Sequence, residues 1–257
     1  MKTISFHTTK GGTGKSTLSI ITLNSLISAG YKCLAIDTDT ANHSLSFYYN
    51  SGIPFETIHD KNIFKVFAGN GILENTILIH DLLDLVHADV RLSDFRSIDN
   101  YKRLKRQIHE LTEYDYVIID TAPSYDNIII NVLYASDTLI IPVIPDVFNF
   151  QALKFLFEKL ADLDLANLEI NVVFNQYDKP RTENLSTFTN QVVNLFRHDA
   201  GISPFITAQL TRSSAIKKYI NDDGYRINDR QETVRQYAEI KNYMAETLAV
   251  NLNGKGI

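Results

Sequence analysis

A chain of 257 residues, 44% apolar and 21% charged, carries enough apolar side chain to bury a sizeable core, which excludes a disordered protein. A net charge of -5 and a pI near 5.8 exclude a global basic field, so binding to nucleic acid or anionic lipid has to come from a local patch. The single cysteine, Cys33, excludes an internal disulfide and a multi-thiolate metal centre and points to a reducing compartment.

No apolar run reaches the ~18 residues of a membrane span, and no charged and apolar leader precedes the first strand, so a cytoplasmic location is expected. The length suits one large α/β domain, and residues 1–257 read as a single unit without linker or repeat. Residues 3–7 (TISFH) predict a strand, a Gly-rich turn follows, and 16–29 predict a helix that Gly30 ends. Residues 32–36 (KCLAI) are too short and too apolar for a helix, so they predict a second strand with Cys33 as a small buried hydrophobe.

The stretch 40–80 supports no firm assignment beyond a weakly amphipathic segment near 61–68 before the Gly-rich AGNGI. Further strands are expected at 83–88, 115–119, 137–144 and 169–174, with helices near 100–112, 150–163 and 184–197. The last segment, 231–257, begins as a polar helix with Tyr237, Ile240, Tyr243, Met244 and Leu248 on one side, then frays. Apolar strands alternating with helices imply an α/β fold: a predominantly parallel sheet with helices on both faces.

The chemistry concentrates between the first strand and the first helix, in Lys10-Gly11-Gly12-Thr13-Gly14-Lys15-Ser16-Thr17. Three glycines let the backbone approach a phosphate chain and turn N–H groups toward it, and the following helix adds its positive end. Lys15 supplies a point charge for the β and γ phosphates, and the Ser16 hydroxyl is suited to Mg²⁺. Thr9 occupies the place of the first glycine of the strict GxxxxGK[ST] pattern, and Lys10 is an additional lysine at the loop entrance. Ligands in open parallel sheets collect at the carboxyl ends of strands, where Asp37 and Asp39 close the second strand and Asp120 closes YVII. Ser16, Asp37 and Asp120 form the candidate metal set, with Asp120 suited to act through a water.

These motifs carry a resemblance. KGGTGKST, IDTDTAN and YDYVIIDTAPS resemble the deviant Walker A, Walker A′ and Walker B motifs of the ParA/MinD family of P-loop ATPases. DVRLSDFRSID, VVFNQYDKPRTEN and PFITAQLTRSSAIKKYINDDG resemble later segments of the ParA branch, so the similarity runs from residue 3 to about 250. The resemblance implies that Lys10 reaches the ATP of a partner subunit in a sandwich dimer. It also implies that Gly11, Gly12, Thr13, Gly14, Lys15, Ser16 and Thr17 cradle Mg-ATP, that Asp39 orients the attacking water, and that Asn175 meets the adenine edge. The chain reads DTDTAN where DxDPQG is common, and DTAPS where DxPPS is common, which leaves the carboxylates in place.

Within that family, a membrane-bound MinD-like role would need a basic amphipathic C-terminal helix, and residues 236–257 offer Lys241 and Lys255 alone. An iron–sulfur role would need more than one cysteine, and the tyrosines Tyr219, Tyr225, Tyr237 and Tyr243 are dispersed rather than clustered as in the tyrosine-kinase relatives. Of the roles the resemblance implies, what remains is DNA partition, in which an ATP-bound homodimer is expected to hold DNA non-specifically and to be released when a ParB-like partner stimulates hydrolysis. With no helix-turn-helix ahead of Thr3, the expectation is the short ParA type, cytoplasmic and nucleoid-associated, without membrane contact. Arg197, Arg212, Lys217, Lys218, Arg226, Arg230 and Arg235 are candidates for a local DNA patch, and Arg197 and Arg230 match the family's DNA-contacting arginines by position. The alternatives are ATP-dependent positioning of a non-DNA cargo and a metabolic synthetase of the dethiobiotin synthetase or cobyrinate amidase type. Lys10 argues against the synthetase.

Overall fold

A computed structural model of the chain describes residues 1–97, 100–165, 167–177, 187–188, 190–192, 194, 205–211 and 231–248; for 177, 205–209, 211 and 231–238 the description is of backbone alone. In chain order the described residues form β1 (Lys2–Phe6), α1 (Lys15–Ser28), β2 (Cys33–Asp37), α2 (Ser44–Tyr49), α3 (Phe55–Asp60), α4 (Ile63–Ala68), β3 (Ile77–His80) and β4 (Leu83–Val86). They continue with α5 (Arg103–His109), β5 (Tyr116–Asp120), α6 (Asn127–Ala135), β6 (Thr138–Val143), α7 (Val147–Ala161), β7 (Glu169–Tyr177), β8 (Phe205–Thr211) and α8 (Gln231–Leu248).

The strands make one sheet in the order β3-β4-β2-β5-β1-β6-β7-β8, parallel throughout except for the edge pair β3 and β4. Successive side chains of a strand face opposite sides of a sheet, and that alternation sorts the apolar residues here into two layers. Ile4 and Phe6 of β1, Cys33 and Ala35 of β2, Ile118 of β5, Ile140 of β6 and Val173 of β7 pack on one face with Leu18, Ile21 and Leu23 of α1 and Met244 and Leu248 of α8. On the other face, Leu34, Ile36, Val117 and Ile119 meet α4, α5 and α6, while Leu139, Ile141, Val172 and Phe174 meet α6 and α7. Strands covered on both sides have no solvent face to mark with polar residues, which is why they read as continuous apolar runs.

The expected parallel α/β architecture stands, and helix α1 ends as expected at Gly30, whose φ of 83° is a left-handed conformation suited to glycine. Cys33 is fully buried, and burial with the nearby Asp115 charge pushes its thiol up to about 12, so it is chemically inert packing. On α8, Tyr243 and Met244 are fully buried, and the Tyr243 hydroxyl meets Thr22 Oγ1 of α1 at 2.9 Å, which ties the last described helix to the first.

The stretch 40–80 is built of three short helices, a 3-10 turn at Leu73–Asn75 and β3, pieces too short to show a period. Helix α4 takes the amphipathic segment, capped by the Asn62 side chain, which accepts from Lys65 N. Helix α6 went unpredicted because NIIINVLYA is apolar nearly all round: it is wedged between two parts of the core and buries Ile128, Ile129, Val132 and Leu133 together. The predicted helix 184–197 falls largely outside the described residues, although 187–188, 190–192 and 194 are helical.

Candidate nucleotide site

The sheet brings the carboxyl ends of β1, β2 and β5 side by side, with β1 adjacent to β5 and β5 adjacent to β2. The register pairs Asp37 directly with Asp120 across β2 and β5, and Phe6 with Asp120 across β1 and β5. Two carboxylates on neighbouring strands, both at zero exposure, therefore face the turn that leaves β1.

That turn is the phosphate loop. Gly12 and Gly14 have φ of 77° and 96°, which an L side chain rarely adopts, so glycine is required at both. Gly14 is the N-cap of α1, and Leu18 N donates to its carbonyl at 2.9 Å, so the loop runs straight into the helix start. Lys15 is buried, with 7% of its surface exposed, Ser16 and Thr17 are half-buried, and Gly11 and Gly12 are exposed. Burial pushes the Lys15 ammonium below its ordinary pKa, opposed by the Asp120 and Asp39 charges.

Asp120 is the open acid of the group. Its Oδ1 accepts from Ser19 Oγ at 3.1 Å, while Oδ2 is buried without a hydrogen-bond partner among the described residues. Burial first, and the Asp37 charge second, push its carboxyl up to about 7, against the pull of Ser16, Lys15 and Ser19. Asp37 is raised as well, chiefly by burial, but both of its oxygens are engaged: Oδ1 accepts from Asp39 N at 2.9 Å and Oδ2 from Ser46 N at 2.8 Å. Asp39 caps the following turn, its Oδ1 accepting from Ala41 N and Asn42 N at 2.9 and 3.1 Å. The unpartnered Asp120 oxygen and the Ser16 hydroxyl are oxygen donors that would suit a divalent cation, and the buried Lys15 ammonium would suit the phosphate beside it.

Lys10 stands apart from this cluster. It is exposed, and its Nζ lies 5.8 Å from the ring centroid of Phe148, itself 71% exposed at the start of α7. Asn175 is buried at the end of β7, with Nδ2 donating to Thr13 O at 2.7 Å. Arg197 and Arg230 lie outside the described residues.

Three residues escaped the sequence reading. His7 extends β1: the Thr121 hydroxyl donates to Phe6 O, so Thr121 Oγ1 accepts from His7 Nδ1 at 2.9 Å. Burial and the Lys15 charge push His7 down to about 3, so it is neutral. Arg96 donates from Nη2 to Thr40 Oγ1 at 2.8 Å and pairs through Nε with Asp126 Oδ2 at 3.3 Å, joining the turn after Asp39 to the cap of α6. Gln176 donates from Nε2 to Gly12 O at 2.8 Å. His7 lies outside the quoted motifs, while Arg96 and Gln176 lie in the segments DVRLSDFRSID and VVFNQYDKPRTEN, where nothing local marks either as a site residue; only the packed sheet brings the three to the site.

Comparisons with known proteins agree with this geometry. The AAA domain family model matches residues 1–172, more than half of the chain. An uncharacterized protein of Methanocaldococcus jannaschii is 34% identical over 195 residues, covering 70% of this chain and 74% of the other. The chromosome-partitioning ATPase Soj of Treponema pallidum is 30% identical over 207 residues, covering 76% and 79%. Among solved structures, a protein of Borrelia burgdorferi described as a plasmid partition protein and bound to AMPPNP superimposes with a TM-score of 0.71 at 26% identity, covering 93% of this chain and 96% of that one. With its glycine loop, buried lysine and acidic strand ends, the chain belongs to the AAA-domain family, in the ParA-type branch of the P-loop ATPases, and is a nucleotide-binding ATPase.

Proposed function

We propose that this ATPase is a partition switch acting as a single domain: its Mg-ATP form is a sandwich homodimer that holds DNA without sequence preference and releases it when a ParB-like partner stimulates hydrolysis. The observation that carries the reading is the division between the two lysines. Lys15 is buried against Asp120 and Asp39 and serves the nucleotide of its own subunit, whereas Lys10 is exposed on the same loop and, among the described residues, pairs with no carboxylate. A second lysine on one triphosphate within one subunit would repel the first, while a lysine reaching across a two-fold axis neutralises the partner's phosphates.

Ser16 and Asp120 would hold Mg²⁺, Asp120 through its unpartnered Oδ2 or an intervening water, and Asp37 adds charge from the adjacent strand. Bound there, Mg²⁺ neutralises charge on the β and γ phosphates. Asp39 orients the attacking water, and Arg197 and Arg230 contact DNA phosphates. The reading places the protein in the cytoplasm on the nucleoid; among the described residues no helix is long and apolar enough to cross a membrane.

Light scattering with Mg-ATP tests the core of the reading. Asp39→Ala is expected to dimerise, and the Lys10→Ala, Asp39→Ala double variant to stay monomeric and to lose co-sedimentation with random-sequence duplex, since bivalent grip is lost with the dimer. An equally dimeric double variant would make Lys10 an ordinary loop lysine and return the metabolic synthetase as the better reading. A Lys10-dependent dimer that ignores DNA would point to a non-DNA cargo.

A further inference from the structure

We propose that Asn175 and Gln176, at the end of β7, are positioning residues that set the peptide planes of the phosphate loop. The inference rests on the reading of residues 10–17 as the triphosphate cradle. Two consecutive side-chain amides donate to two consecutive loop carbonyls: Gln176 Nε2 to Gly12 O at 2.8 Å and Asn175 Nδ2 to Thr13 O at 2.7 Å. In a trans peptide the N–H points opposite to the C=O. Tying the Gly12 and Thr13 carbonyls to β7 therefore turns the Thr13 and Gly14 N–H groups away from β7, and among the described residues neither donates to a protein acceptor. Two N–H groups aimed the same way from consecutive residues, at the start of a helix, are the donors that an anion needs.

The anchor is itself constrained. Asn175 Oδ1 accepts from Gln176 N at 2.9 Å, which fixes the orientation of the Asn175 amide and leaves its nitrogen to face Thr13. Gln176 holds φ at 54°, a left-handed conformation unfavourable for a side chain of this length. Strain of that kind persists where surrounding contacts determine it and gathers at functional sites. Gly14 completes the fit, since a Cβ there would collide with Asn175 Nδ2. Asn175 keeps one N–H and one lone pair beyond these bonds, so a contact with a base edge is compatible with the anchor.

The test compares Gln176→Gly, which removes the amide and relieves the left-handed strain, with Gln176→Glu, which keeps length and strain but replaces the donor by an acceptor. Calorimetric titration with ATP, inorganic pyrophosphate and adenosine is run on both and on the parent. The expected result is a loss on the order of tenfold in affinity for both ATP and pyrophosphate in both variants, with adenosine unaffected and the melting temperature of Gln176→Gly no lower than the parent's. Parent-like pyrophosphate affinity in either variant would overturn the proposal, as would a loss confined to the ligands that contain adenosine. A parent that binds neither ATP nor pyrophosphate would instead refute the phosphate-loop reading on which the proposal stands.

Discussion

At the residue scale, the buried Lys15 ammonium and the Asp39 carboxylate lie close enough for Asp39 to raise the lysine's proton affinity, and the proposed function gives them different work. Lys15→Ala is expected to abolish ATP binding in a titration, while Asp39→Ala should bind Mg-ATP and hydrolyse it on the order of 10²-fold more slowly in a single-turnover assay. Equal loss of affinity in both variants would move Asp39 into metal binding. A pH dependence follows from Asp120 and His7, which pull in opposite directions. Asp120 is raised from 3.8 to about 7, so the unfolded chain binds fewer protons than the native protein in that window, and its contribution to stability falls as pH rises. Asp37, raised for the same reason, adds to this slope. His7 is lowered from 6.5 to about 3, so its contribution is lost as pH falls through 6.5 and regained as pH rises. In the metal-free protein the two slopes oppose each other between about pH 4 and 6.5, and Asp120→Asn removes the Asp120 contribution while those of His7 and Asp37 remain. Urea denaturation should therefore show Asp120→Asn gaining on the parent steadily from pH 4 to 7, and a constant difference would mean that Asp120 is not held neutral by burial.

At the scale of elements, the active edge is assembled from loops that are joined to one another as well as to their strands. Arg96 is the clearest joint, since it binds Thr40 in the turn after β2 and Asp126 at the cap of α6, which follows β5. Its contacts hold the turn carrying Asp39 relative to the strand carrying Asp120, without reaching the loop of Lys15. Arg96→Leu is thus expected to lower kcat about tenfold while ATP affinity stays at the parent value. Equal kcat would show that the turn needs no such support. The elements that sequence reading found and missed differ for a physical reason. The glycine-ended α1 and the apolar β2, β5 and β6 carry their own punctuation and length, whereas α6, buried on two sides, has no polar face from which a helical period could be read. Asp126, whose side chain accepts from Ile128 N and Ile129 N, was the available signal for that helix.

At the scale of the whole molecule, a net charge of -5 means that any DNA affinity has to come from a few phosphate contacts rather than from a general field. Binding to random duplex in the ATP state is expected to fall steeply with salt, and charge removal at Arg197 or Arg230 should lower the slope of log K against log salt by about 0.9 per lost contact, with DNA-free ATP turnover unchanged. An unchanged slope and affinity would exclude these positions as the contact site. The sequence by itself determined the α/β class, the loop from Lys10 to Thr17, the family resemblance and the placing of Asp37, Asp39 and Asp120 at strand ends, because local spacing and strand polarity suffice for each. Only the tertiary structure decided which of those acids is open. Asp37 and Asp120 look alike in the chain, but register sets them side by side, backbone N–H groups take both oxygens of Asp37, and Asp120 keeps one oxygen free of protein partners among the described residues. The same holds for His7, Arg96 and Gln176: their roles depend on neighbours brought from 114, 56 and 164 residues away, and a contact at that separation leaves no mark in local sequence.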